Sequence, residues 1–198
     1  LGVVAVMEYL RAIGRTERAE YKALSDRADA LAAFDPFIRN ARSISITSSS
    51  LLGIRVVAPE QVSTALREKA GEVPFRILMT DPGFSALREK QEGRRPGSIK
   101  IEIEESVDRL LDWGVPKENI RFFRGAPTVF MILTPDRAVV NPYTYSTEAY
   151  HTFAFECAPT TDRNVRDVYR QYRDSHFERP WTKGKSVEEV LEDEDDKK

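Results

Sequence analysis

The chain has 198 residues, of which 41% are hydrophobic, 31% charged and 10% aromatic, and its formal net charge is −2 at pH 7. That composition suits one globular domain with appendages and excludes collagen-like, disulfide-framework and wholly disordered classes. Cys157 stands alone and cannot form an internal disulfide, and with only His151 and His176 beside it the chain assembles no Cys/His zinc site by itself.

A charge so near zero does not indicate nucleic acid as a partner. The opening LGVVAVMEYL is interrupted by Glu8 and Arg11 and lacks a basic start, so no membrane span or signal peptide is predicted, and a reducing cytoplasm is the expected setting.

Apolar residues at alternating three- and four-residue steps, Val3, Met7, Leu10, Tyr21, Leu24, Ala28 and Leu31, predict helix over residues 1–34. Gly14 and Glu17 interrupt this seam, Thr16 offers a new N-cap, and Arg11, Arg18, Glu20, Lys22 and Arg27 charge its flanks. So narrow a seam reads as a parallel coiled-coil stem pairing two copies of the chain into a homodimer, or as a helical hairpin or long helix packed on its own domain. Asp35-Pro36 is expected to end the helix, since proline disfavours helical geometry in the residue before it.

Beyond Arg42 the pattern alternates. SISIT (43–47) reads as a strand, Pro59 to Ala70 as a helix closed by Gly71, and FRILMT (75–80) as a second strand stopped by Asp81-Pro82-Gly83. Helical material is broken by GRRPG (93–97) and resumes at Ser98 as N-cap, with Ile99, Ile103, Val107 and Leu110 on one face. Asn119–Arg124 predicts a third strand, Thr128–Leu133 with Ala138–Asn141 a hairpin, and His151–Cys157 a further strand. Thr161 or Asp162 caps a last helix. The sum predicts an α/β fold with a mixed, mainly parallel sheet flanked by helices over residues 36–182, a helical stem at 1–35, and an acidic, disordered tail at 183–198.

Ligands of open α/β sheets gather beyond the carboxyl ends of the strands. There stand Ser48, Ser49, Ser50, Asp81, Arg124, Asn141, Tyr143 and Tyr145, a set of hydroxyls, an acid, a guanidinium and a carboxamide suited to a small polar or phosphorylated ligand. Turn formation is an equally economical reading of the serines and of Asp-Pro-Gly. Arg88, Lys90, Arg94, Arg95 and Lys100 cluster around the Gly-Pro break, and Arg88, Arg94 and Arg95 are the candidates for binding phosphate. In AYHTFAFEC, His151 shares an apolar face with Phe153, Phe155 and Cys157, which makes it a pocket-lining residue; His176 and Cys157 read as structural. No P-loop, dinucleotide fingerprint or EF-hand is present, so no cofactor or metal is predicted.

The succession of FRILMTDP, a basic glycine-bearing stretch, an amphipathic helix, ENIRFF and PTVFMILTPDRAVVNPY resembles half of a phospholipase D-type fold over residues 37–182. It is most similar to bacterial regulatory members in which such a domain follows a helical or DNA-binding segment. The signature of that family is HxKxxxxD, its histidine the nucleophile and its lysine the partner of phosphate oxygens. With Asp136 set on the aspartate, Val129 stands in the histidine's place and Met131 in the lysine's, and the downstream Gly-Ser reads Tyr143-Thr144-Tyr145-Ser146. The resemblance therefore implies a non-catalytic ligand-sensing or interaction domain. Two rivals stay open: a phosphodiesterase or nuclease-type hydrolase using His151 or the Ser48–Ser50 run, and an oligomerisation scaffold without a small ligand.

Overall fold

A computed structural model describes residues 18–19, 21–24, 26–125, 128–143, 152–163 and 165–190. At its centre is β3 (Ile44–Ser48), a β-branched strand buried along its whole length. It pairs in parallel with β4 (Phe75–Thr80), which pairs in parallel with β5 (Ile120–Phe123). On the other side β3 meets β6 (Val129–Leu133), which continues through β7 (Ala138–Pro142) to β8 (Ala154–Cys157). All of these further pairs are antiparallel.

The expectation of a mainly parallel sheet is thereby corrected. The crossovers stop after β5, and the β6–β7 hairpin inserts beside β3 instead of extending the β5 edge. The full order is β10 (Lys185–Ser186), β5, β4, β3, β6, β7, β8 and β2 (Tyr21–Leu24).

The amino-terminal stem is corrected as well. Arg18–Ala19 forms β1 and Tyr21–Leu24 forms β2, an antiparallel partner of β8. The hydrogen-bonding edge of β8 and the contact of Tyr21 with Phe155, ring centroids 5.7 Å apart, override the local helical spacing. Residues 1–17, with Thr16 and the first half of the proposed coiled coil, lie outside the described residues. Helix α1 (Arg27–Arg39) begins only after Asp26, whose carboxylate accepts the Asp29 N–H at 3.0 Å. Pro36 lies inside α1 and does not end it. Phe34 and Ile38 are buried on either side of the proline, and that burial outweighs the one backbone bond it removes. Asn40 closes the helix, its side-chain amide donating to the Pro36 carbonyl at 2.8 Å.

Helices cover both faces. Over one lie α1, α2 (Leu52–Val57), α3 (Glu60–Glu72) and α5 (Ser98–Asp112), with α4 (Ser85–Glu92) leading into α5. Their core includes Phe34, Leu66, Ile77, Ile103 and Phe130. The opposite face is covered by α6 (Val168–Tyr172), a π-helical turn (Arg173–Glu178) and α7 (Arg179–Lys183). That core holds Val129, Met131, Leu133, Tyr169 and Phe177. The last helix starts later than Asp162 because Val165–Arg166 forms β9 against β1 and Asp167 then caps, accepting the Arg170 N–H at 2.8 Å. The tail is ordered further than its acidity suggested: β10 (Lys185–Ser186) pairs with β5, and Val187 and Val190 are buried. Among the described residues no helix is long and apolar enough to cross a membrane.

Candidate functional site

The carboxyl end of β3 runs into Ser48, Ser49 and Ser50, all buried. The Ser48 hydroxyl donates to the Ser50 carbonyl, folding the run into a tight turn. The Ser49 N–H donates to the Tyr143 hydroxyl at 3.0 Å, and the Ser50 hydroxyl donates to Glu102 Oε2 at 2.9 Å. Ser48 Oγ lies 3.3 Å from the Tyr143 hydroxyl. The serine run is thus tied to β7's end and to α5, and the Ser49 hydroxyl is buried without a partner among the described residues.

Arg27, first residue of α1, reaches into this end of the sheet and is 4% exposed. Its Nε donates to Asn141 Oδ1 at 2.8 Å, and its guanidinium carbon sits 4.2 Å above the centre of the Phe130 ring. Nη2 has no hydrogen-bond partner among the described residues. The backbone of Gly53 lies against Nη1 so closely that a Cβ there would overlap it. Burial pulls the pKa of Arg27 below its ordinary value, opposed by Tyr143 and Glu92. Asn141, 0% exposed, fixes the arginine from β7 and donates in turn to the carbonyls of Thr152 and Phe153.

The basic cluster on α4 and its following loop is differently arranged. Arg88, 3% exposed, donates from Nε and Nη2 to Glu92 at 2.8 and 2.5 Å and lies 4.2 Å over the Tyr143 ring. Arg94 is paired with Glu102 through both terminal nitrogens and stands 3.7 Å from Glu92. Glu89 accepts the Gly97 and Ile99 N–H groups at 2.8 and 2.9 Å and so holds the start of α5. Arg88 and Arg94 are therefore held by glutamates, and Arg95 is exposed. A cavity of about 30 Å³ is bounded by Arg27, Ser48, Ser49, Glu92, Arg94 and Glu102 among others.

Asp81 and Arg124 stand apart from this cavity. Asp81 accepts the Gly83 N–H at 2.9 Å in its turn and lies 3.5 Å from Arg124 Nε, whose exposed guanidinium rests 5.8 Å over Phe84. Tyr145 and His151 lie outside the described residues.

Val129 and Met131 are 4% and 0% exposed and point to the second core, away from the arginine side. A separate cavity of about 210 Å³ on that side is lined by Thr47, Leu78, Phe123, Thr128, Val129 and His176. His176 Nδ1 is 3.3 Å from the Thr128 hydroxyl, its ring stacks on Tyr172 at 5.0 Å, and burial lowers its pKa. Burial pushes the Cys157 thiol up to about 12, which leaves it unreactive. Among the described residues no three His, Cys, Asp or Glu side chains are grouped to hold a metal ion.

Sequence reasoning missed Arg27, Glu92 and Glu102 as parts of this site. Glu102 carried a signal: it falls with Ile99, Ile103, Ser106 and Leu110 on the buried stripe of α5, where an acid needs a partner. Arg27 carried none, because its neighbours in the chain place it on the flank of a heptad seam.

Among solved structures, the chain is similar to TrmBL2, an archaeal chromatin protein described as showing a novel mode of DNA binding. The TM-score is 0.48 at 12% identity, over 94% of this chain and 61% of that one. It is also similar to the phosphatidylserine synthase of Haemophilus influenzae Rd KW20, at a TM-score of 0.48 and 11% identity. That likeness covers 81% of this chain and 38% of the synthase. The chain thus spans less than two thirds of either. No family model and no curated protein matches it. The first likeness corrects the expectation that nucleic acid is not indicated as a partner: that chain is DNA-binding, and a net charge of −2 is no ground for the exclusion.

Proposed function

We propose that this chain is a non-catalytic, ligand-sensing domain of a regulatory protein, with a degenerate phospholipase D-like site. The observation that carries the reading is the burial of Val129 and Met131 where the resemblance requires an imidazole and an ammonium. Neither side chain can form a phospho-enzyme or neutralise a phosphate, and both are packed into core. Among the described residues no histidine stands beside the serine turn: Ser48 donates to the Ser50 carbonyl, Ser50 donates to Glu102, and His176 is on the far face against Thr128.

What the strand ends offer is recognition. Arg27, Asn141, Tyr143 and the serine turn converge there, and Arg27 opens the helix that follows the amino-terminal segment. A ligand held at Arg27 is in contact with that helix and biases its position, which is the minimum that a sensor requires.

Phosphodiesterase assays with an activated phosphodiester, oligonucleotides and phospholipid vesicles test the first half. No turnover above buffer is expected, and turnover that survives purification would overturn the reading. A rise in unfolding temperature with one member of a panel of small polar metabolites supports sensing over a bare scaffold.

A further inference from the structure

We infer that the cavity at Arg27 is a binding site for a small monovalent carboxylate. The inference rests on the ligand-sensing reading above and supplies the ligand class for that same site.

Charge carries it first. Three arginines, Arg27, Arg88 and Arg94, stand with two glutamates, Glu92 and Glu102, at this end of the sheet. Arg88 is bonded to Glu92, and Arg94 bridges Glu102 and Glu92, so both acids are already engaged. Glu89 is taken by the amides at the start of α5. Arg27 is bonded instead to a neutral carboxamide and rests on an aromatic face. Arg27 is thus the one of the three arginines without a carboxylate bonded to it among the described residues, nine-tenths buried and with Nη2 lacking an acceptor there. An uncompensated buried charge is destabilising until an anion joins it.

Geometry narrows the class. Ser49 lines the same cavity, and its buried hydroxyl, which has no partner among the described residues, is a second donor. A guanidinium N–H beside a hydroxyl suits the two oxygens of a carboxylate. At about 30 Å³ the cavity takes two or so water-sized groups, enough for a formate- or acetate-sized head. A dianion such as phosphate is larger, and Glu92 and Glu102 on the wall repel its second negative charge.

The experiment is thermal unfolding of the whole chain at fixed ionic strength, with sodium isethionate replaced by formate, acetate, chloride or inorganic phosphate. Formate and acetate are expected to raise the midpoint saturably, by about 5–10 °C at a hundredfold excess over Kd. Chloride and phosphate are expected to bind at least about tenfold more weakly. Arg27→Met abolishes the response. Gly53→Ala weakens it at least about tenfold, because the new Cβ displaces the guanidinium at a helical position where alanine is otherwise preferred. If Arg27→Met does not fold, Gly53→Ala carries the comparison. No saturable response to formate or acetate below about 0.1 M, or an undiminished one in both variants, overturns the inference. So does a preference for phosphate or chloride. These failures leave sensing of a neutral ligand standing, whereas phosphodiester turnover would remove the underlying reading itself.

Discussion

On one side of β6, Phe130 lies under the guanidinium of Arg27, and the chain builds around it a lattice of carboxamide, hydroxyl and glutamate groups drawn from α1, α4, α5 and β7. On the other side, one residue along in either direction, Val129 and Met131 sit in an apolar core with Phe177 and Tyr169. Both sides are buried, yet they are stabilised differently. The apolar side needs only shape and area, roughly 25 cal/mol per Å² removed from water. The arginine side needs every donor and acceptor matched, and at Nη2 and Ser49 the matching stops. One strand thus separates an apolar core from a polar layer in which two donors have no partner among the described residues, and such groups are where a ligand has something to gain.

The sharpest way to break this contrast is to put charge on the apolar side. Met131→Lys, at a fully buried position among Phe177, Tyr169 and Val140, is expected to destabilise the chain by about 3–5 kcal/mol in urea unfolding. Adding Val129→His is expected to yield no phosphodiesterase activity. A double variant as stable as wild type, or one that turns over, would show that this face is a vacated active site awaiting its residues rather than a core.

Next in size is Asn141→Ala. It removes the acceptor of Arg27 Nε and the donations to the Thr152 and Phe153 carbonyls together, an expected loss of about 2–3 kcal/mol by urea unfolding. A loss no larger than that of a surface substitution would mean that Arg27 finds another acceptor without strain. Ser50→Ala is milder. Glu102 keeps Arg94 when the serine hydroxyl goes, so about 1 kcal/mol is expected from the same measurement.

The interior strands were legible because their patterns are dictated locally. FRILMT is β4 residue for residue, and Pro135-Asp136 sits between β6 and β7 as turn chemistry requires. Parallel versus antiparallel pairing was not legible, since β6 carries the same continuous apolar run whichever neighbour it takes. Tyr21–Leu24 misled for a related reason: four residues satisfy helical spacing, and only the open edge of β8 decides for strand. At the site, Ser48, Ser49, Ser50, Asn141 and Tyr143 were visible as polar residues at strand ends, and the structure brings them together. Asp81 and Arg124 follow the same rule but pair with each other at a turn. Arg27 was invisible, because its role depends on a helix start that the heptad spacing concealed and on a glycine, Gly53, far along the chain.

The smallest effect concerns the one described histidine, which lies on the apolar side. His176 lines the cavity beside Val129, bonded to Thr128 and stacked on Tyr172, and burial lowers its pKa in the folded chain. The unfolded histidine keeps a value of about 6.5 and therefore binds more protons than the folded one just below that pH. Stability accordingly rises with pH through this window: the contribution of neutral His176 is complete above about 6.5 and is lost as the solution is acidified toward the folded pKa. His176→Gln retains a hydrogen-bonding group for Thr128 and removes the titration. The stability of wild type relative to this variant is expected to be constant at alkaline pH and to decline on acidification. An imidazole NMR titration with its midpoint above about 6.5, or a relative stability that grows in acid, would place a compensating charge on the side of β6 now read as apolar.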